Sequence, residues 1–127
     1  MIFLDTDFLV SFFIEKEYNH QRAVEIAETI QNEEKLISKL VIAETITLMK
    51  QKIPTKDIIR IYEILQDFTT IDDTYLFDKG FKQFIKYDSN ISFFDSVYIA
   101  IMQEFDIYKI ATFDKDFDNK DKIIRIH

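Results

Sequence analysis

Four carboxylates, Asp5, Glu44, Asp95 and Asp114, lie far apart in the sequence but in similar surroundings. Each sits at the edge of an apolar segment or within its apolar face. Carboxylates crowded together without a cation repel and raise one another's pKa, and a bound metal removes that cost. Hard cations such as Mg²⁺ take oxygen ligands: one or two carboxylates, waters and substrate phosphates. A donor set without His or Cys favours Mg²⁺ or Mn²⁺ over zinc. Such a site suits phosphodiester hydrolysis, where the metal lowers the pKa of a water and stabilises the leaving oxygen. Here there is no Cys, and only His20 and His127 could offer an imidazole. His20 lies in the polar run Glu17-Tyr18-Asn19-His20-Gln21 and His127 closes the sequence, so catalysis through a buried histidine is not expected.

Each acid also has a plainer account. Asp5 and Asp7 flank a helix start, where Asp is a favoured cap and first-turn residue. Ser92-x-x-Asp95 is a variant of the capping box, which normally takes Glu or Gln in the last place. Asp114, Asp116 and Asp118 follow a strand, and acid-rich loops there are usually solvated turns. Glu44 is the hardest to dismiss. Helical spacing puts it on a face with Leu40, Val41 and Leu48, Glu is almost never buried unpartnered, and none of Lys39, Lys50 or Lys52 is one turn away.

The elements that would carry these acids follow from hydrophobic spacing. Met1 to Leu4 is a short apolar run ending at Asp5, the pattern of a strand buried on both faces, with the acid at the end where open α/β sheets hold ligands. Helices are predicted over Thr6–Ile14, from an Asn19 cap to Asn32, over Lys39–Lys52, from a Thr55 cap to Leu65, over Asp72–Tyr87 and over Ser92–Phe105. Pro54 separates the third from the fourth. The last helix is apolar nearly all round and should be the most buried. Leu36–Ser38, Phe68–Ile71, Tyr108–Thr112 and Ile123–Ile126 are the remaining strands. Short strands alternating with helices predict an α/β fold, a short and mostly parallel sheet with helices on both faces.

The chain has 127 residues, 47% of them hydrophobic, which fits one domain over 1–127 with a real core. With one Gly and one Pro, long linkers and Gly-rich phosphate loops are excluded. No basic n-region precedes the first apolar run, and no run approaches the ~20 residues of a membrane span, so a cytoplasmic protein is expected. A net charge of −7 argues against a broad nucleic-acid-coating surface, but leaves room for metal ions to supply positive charge locally.

Four motifs in order then resemble one family. Asp5-Thr6-Asp7-Phe8-Leu9 is similar to the opening Asp-Thr/Ser-x-x-Leu of PIN-domain ribonucleases. Ser38-x-x-x-Ile42-Ala43-Glu44 resembles the family's second motif. Ile91-Ser92-Phe93-Phe94-Asp95-Ser96 with Ile99-Ala100 resembles the third, and Thr112-Phe113-Asp114-Lys115-Asp116-Phe117 the fourth. The compact form is similar to the VapC toxins of toxin–antitoxin pairs. The resemblance implies a PIN-like fold and an Mg²⁺- or Mn²⁺-dependent endoribonuclease, the toxin of a type II pair. It implies metal ligands at Asp5 and Asp95, with Glu44 and Asp114 completing the catalytic cluster and Asp116 sharing the last role. Thr112 would orient a carboxylate or water, with Thr6 and Ser92 doing likewise. A homodimer, a small antitoxin and an RNA substrate are the implied partners. Asp7 departs from the family pattern, which more often has Asn, Ser or a small residue. RNA would have to be gripped locally, by Lys50, Lys52, Lys56 and Arg60 or by Lys115, Lys120, Lys122 and Arg125, most of which read equally well as solvated surface. Phe and Ile positions of the first two helices, Phe12 and Phe13 among them, are expected either at a dimer or antitoxin surface or simply in the core.

Other classes compete. Asp5-Thr6-Asp7 after a strand also resembles the Asp-x-Asp of haloacid-dehalogenase-like phosphatases, with Asp5 as nucleophile and Asp7 as acid/base. That family has Thr or Val two residues after the second Asp, and here the residue is Leu9. A phosphoreceiver domain matches in size but needs an Asp at the end of the third strand, and Asp57 is at a helix start. A domain that binds RNA or antitoxin without cutting is the third.

Overall fold

The computed structural model describes residues 1–127. Strands and helices alternate as β1 (Ile2–Leu4), α1 (Thr6–Phe13), α2 (His20–Thr29), β2 (Lys35–Ser38), α3 (Lys39–Met49), α4 (Thr55–Leu65), β3 (Thr69–Ile71), α5 (Phe77–Lys86), α6 (Phe93–Glu104), β4 (Lys109–Ala111) and β5 (Ile124–Ile126). Two 3-10 turns, Thr74–Leu76 and Lys115–Phe117, precede α5 and follow β4. All five strands are parallel, in the order β3-β2-β1-β4-β5. Phe3 at the centre pairs with Leu36 on one side and Ile110 on the other.

The burial of β1 explains its composition. Ile2, Phe3 and Leu4 are all buried, as expected for a strand covered on both faces rather than one. The strand order also fixes the layers. From β1 the chain steps outward to β2 and β3, then returns across the sheet to β4. Right-handed crossovers therefore put α1–α4 on one face and α5–α6 on the other. α6 lies at the heart of its layer, with an unbroken buried stretch from Asp95 to Met102. α5 packs against it so closely that a Cβ on Gly80 would come within 2.7 Å of Val97 Cγ2 and 3.0 Å of Val97 Cα.

Local differences from the expected elements have local causes. Asn19 precedes α2 without a side-chain cap, and α2 stops at Thr29 rather than Asn32, with Ile30 turned into the core. Pro54, not Thr55, occupies the capping position of α4, and Thr55 is its first helical residue. The helix expected from Asp72 starts at Phe77, because the Asp72 carboxylate accepts from the Thr74 N–H and hydroxyl, a local turn that competes with helix. The apolar positions of α1 and α2 are mostly core: Phe8, Leu9, Ala23 and Ile26 are buried, and Phe12 and Phe13 pack against them half-buried. Exposed apolar side chains gather instead on α5 and the start of α6, at Phe77, Phe81, Ile85, Phe93 and Phe94.

Candidate active site

In a parallel sheet whose chain order reverses, a crevice opens outside the carboxyl ends of the strands at the reversal. Here the reversal lies between β1 and β4. Asp5 follows β1 and Thr112 to Asp114 follow β4, so both flank that crevice. α3 follows β2 and brings Glu44. α6 crosses on the other face and brings Asp95 in its first turn. The result is a cleft of about 190 Å³ lined by Asp5, Thr6, Asp7, Glu44, Leu48, Ser92, Asp95 and Asp114. No Lys, Arg or His lines it.

All four sequence-picked carboxylates therefore share one cleft. Oxygens of Asp95, Asp114 and Asp116 lie within 4.8 Å of one another. Asp5 lies deeper, 4% exposed. Its Oδ1 accepts from the Thr6 N–H at 2.8 Å, so the plain capping reading is also true of it, and its Oδ2 accepts from the Thr112 hydroxyl at 2.7 Å. Ser92 caps α6 by accepting the Asp95 N–H at 3.0 Å, which fixes the Asp95 backbone rather than its carboxylate. Asp118 is drawn away, its carboxylate held by Arg125 at 2.8 and 3.1 Å.

Several side chains of the expected basic patches are engaged elsewhere, while Lys50, Lys56 and Arg60 are exposed. Lys52 is paired with Glu17 and Arg125 with Asp118, while Lys120 lies over the Tyr87 ring. Lys122 precedes β5 and so sits at the opposite edge of the sheet from Lys115, which follows β4 between Asp114 and Asp116.

Three contacts were not legible in the sequence. Asp7, expected as a first-turn acid, accepts from the Phe113 N–H with both oxygens (3.1 and 3.2 Å) and from the Thr112 hydroxyl at 3.0 Å. It latches α1 to the β4 exit. Glu44 Oε1 accepts from the Tyr98 hydroxyl at 2.9 Å, which supplies the partner that no lysine provides. Asp73, 3% exposed, accepts the Leu40 N–H at 3.0 Å and so helps Ser38 cap α3 across strands. A Ser at a strand–helix junction signalled the Ser38 cap; nothing local signalled Asp73.

Electrostatics mark the cleft as incomplete. Burial first, then the charges of Asp7 and Asp95, push the Asp5 carboxyl well above its usual range. Burial, then Asp114 and Glu44, raise Asp95 to about 7. Burial raises Asp7, opposed by its bonds from Phe113 and Thr112. Burial and Glu44 likewise raise the Tyr98 phenol, which keeps its proton for Glu44. Thr112 has one hydroxyl proton for two carboxylates, and its oxygen also accepts the Asp114 N–H at 3.0 Å. Positive charge is thus missing, and the donors are all oxygen. The set fits a hard divalent cation.

An all-parallel α/β sheet with a carboxylate cleft at its reversal point is the class defined by this fold and site. Within it, the chain belongs to the PIN domain family, whose model matches residues 2–123. Solved structures share the fold. VapC20 of Mycobacterium tuberculosis, a Sarcin-Ricin loop cleaving toxin, superposes with a TM-score of 0.85 at 19% identity, covering 97% of this chain and 98% of that one. A toxin–antitoxin complex from Klebsiella pneumoniae gives 0.74 at 17%, with 98% and 96% covered. VapBC2 of Rickettsia felis, bound to a promoter DNA fragment, gives 0.74 at 15%, with 99% and 98% covered. No curated protein sequence matches the chain.

The site bears on the rival classes. In a phosphatase of the haloacid-dehalogenase type Asp7 would be a free acid/base, but here its oxygens are taken by Thr112 and the Phe113 amide. Asp57 is in the first turn of α4 and is not among the cleft residues, so a receiver site is not formed.

Proposed function

We propose that the chain is a metal-dependent endoribonuclease that hydrolyses RNA phosphodiester bonds, the toxin of a type II toxin–antitoxin pair. The observation that carries this reading is the cleft: five carboxylates from four separate segments of a PIN-family chain converge there with no side-chain cation to neutralise them. Asp5, Glu44, Asp95 and Asp114 would hold the ion, Mg²⁺ or Mn²⁺, with Asp116 at the exposed rim. When bound, such an ion lowers the pKa of a water and offsets charge building on the phosphate. The chain's own groups arrange the oxygens. Thr112 fixes Asp5, Asp7 holds the β4 exit that presents Asp114, Ser92 fixes the start of α6 beneath Asp95, and Thr6 buttresses the Asp5 end through its N–H. Lys115 is the basic side chain nearest in sequence to the rim and the best candidate for an RNA phosphate contact. A small antitoxin and a second copy of the chain complete the partners in this reading. No helix is long and apolar enough to cross a membrane, consistent with work in the cytoplasm.

The test is cleavage of a structured RNA pool by the purified chain with Mg²⁺, with Mn²⁺ and with EDTA, beside Asp5→Asn, and with melting followed in each condition. Cutting is expected only with metal and Asp5 intact. Saturating metal at a hundredfold over its Kd should stabilise the fold by about 2.7 kcal/mol. No cutting and no metal-dependent melting shift would defeat the reading and leave the acids as caps and turns.

A further inference from the structure

We propose that Tyr98 is a positioning residue that fixes Glu44 by one carboxylate oxygen and thereby sets which divalent ion the cleft prefers. This rests on the reading of the cleft as a metal site.

Tyr98 is the largest fully buried side chain of the protein. Its ring is held in the middle of α6 against Phe3, with 5.4 Å between centroids. Its hydroxyl reaches Glu44 Oε1 at 2.9 Å. A phenol has one proton to give, and here the Glu44 carboxyl oxygen accepts it. Glu44 contrasts with its partner. It is a half-exposed side chain with several rotatable bonds on α3, and no other protein group donates to it. Oε1 is therefore committed to the protein, and Oε2 is the oxygen that takes no hydrogen bond from the chain. The phenol comes from one face of the sheet and the glutamate from the other, so the bond also couples the two helical layers at the cleft.

The consequence is chemical. Mg²⁺ demands near-octahedral geometry at short distance, whereas Ca²⁺ accepts longer, looser sites and bidentate carboxylates. A glutamate tethered by one oxygen offers its other oxygen in a fixed place, which suits the smaller ion. An untethered glutamate can turn both oxygens towards a larger one. A partner that orients a ligand in this way is typically worth about 10- to 100-fold in metal affinity.

The experiment is calorimetric titration of the purified full chain with Mn²⁺, Mg²⁺ and Ca²⁺, comparing wild type with Tyr98→Phe. That change keeps the ring and removes one oxygen. We expect about tenfold weaker Mn²⁺ binding and a rise in the Ca²⁺-to-Mg²⁺ affinity ratio, with both effects absent when Tyr98→Phe is added to Glu44→Ala. RNA cleavage should lose kcat with little change in KM. A hydroxyl that merely satisfies a buried donor would lower melting in EDTA and leave the ion ratio unmoved, and that result overturns the proposal. If Tyr98→Phe does not fold, fluorotyrosine-labelled wild type decides the matter by fluorine NMR. The buried Tyr98 resonance should shift on Mg²⁺ addition and should not shift in Glu44→Ala; an unmoved resonance in the wild type overturns the proposal. Failure of the function reading looks different. A wild type that binds Mn²⁺ but cuts no RNA defeats the nuclease, and the ion ratio still decides Tyr98. A wild type that binds no divalent ion defeats both.

Discussion

The two edges of the sheet use the same residue types in opposite ways. At the amino edge, where strands begin, three acids are each held by a lysine. Glu33 before β2 is bonded by Lys109, Asp121 before β5 by Lys86, and Glu104 before β4 by Lys79. At the carboxyl edge Asp5, Glu44, Asp95 and Asp114 share a cleft with no such partner. Lys39, at the start of α3 on that edge, goes to Asp72 instead. Paired surface acids are balanced in place and contribute little, whereas buried unpaired acids stay costly until a proton or an external cation arrives. The difference separates acids that serve the fold from acids that burden it, and the burden points to the working site.

Substitutions that equalise the edges should show which is which. The largest effect is expected from Asp95→Asn. Several kcal/mol of metal-supplied charge stabilisation corresponds to about a thousandfold in rate, so cleavage should fall by at least that order while RNA binding, read by gel shift, persists. A variant that cuts at wild-type rate would place the chemistry elsewhere.

The next effect is on stability and runs against the usual sense for a carboxylate. The Asp95 carboxyl gives up its proton near 7 in the folded chain, against 3.8 ordinarily. Between those values the folded state binds more protons than the unfolded one. The Asp95 contribution to metal-free stability is therefore highest below the lower value, falls as pH rises through the window and levels off above it. At 1.36 kcal/mol per pH unit, Asp95 contributes a fall of up to about 4 kcal/mol, and Asp5 acts in the same direction. Urea unfolding in EDTA across this range should show the decline, and Asp95→Asn should reduce it, leaving the part due to Asp5. A stability rising with pH over the same range would mean the acids are not crowded.

The smallest effect is at the amino edge. Lys109→Gln should cost no more than about 1 kcal/mol and leave the cleavage rate unchanged. A large loss of activity there would erase the contrast.

Much of the fold was legible because its signals are local. Ile2 to Leu4 announces a two-faced strand, and the apolar run from Phe93 to Met102 announces the central helix. The acids of the cleft were legible for a related reason, since each interrupts or ends an apolar segment. What escaped were pairings made only by the fold. Asp7 finds the Phe113 amide, Asp73 the Leu40 amide and Glu44 the Tyr98 phenol across sequence gaps of 106, 33 and 54 residues. The neighbours of two lysines escaped in the same way, Glu17 for Lys52 and the Tyr87 ring for Lys120. No spacing rule reaches across such gaps, and the surface apolar face on α5 was missed because its helix pattern resembles that of a core helix.

The latch between the first helix and the β4 exit has a consequence for how the protein is made. Asp5 and Asp7 are synthesised 105 to 107 positions before the Thr112 and Phe113 groups that they bond. Contacts of such long separation cost loop-closure entropy and are slow to form. A growing chain attached to its ribosome therefore carries the amino-terminal acids without the segment that orients them. The cleft is therefore complete only once the β4 exit has been made and folded back onto α1.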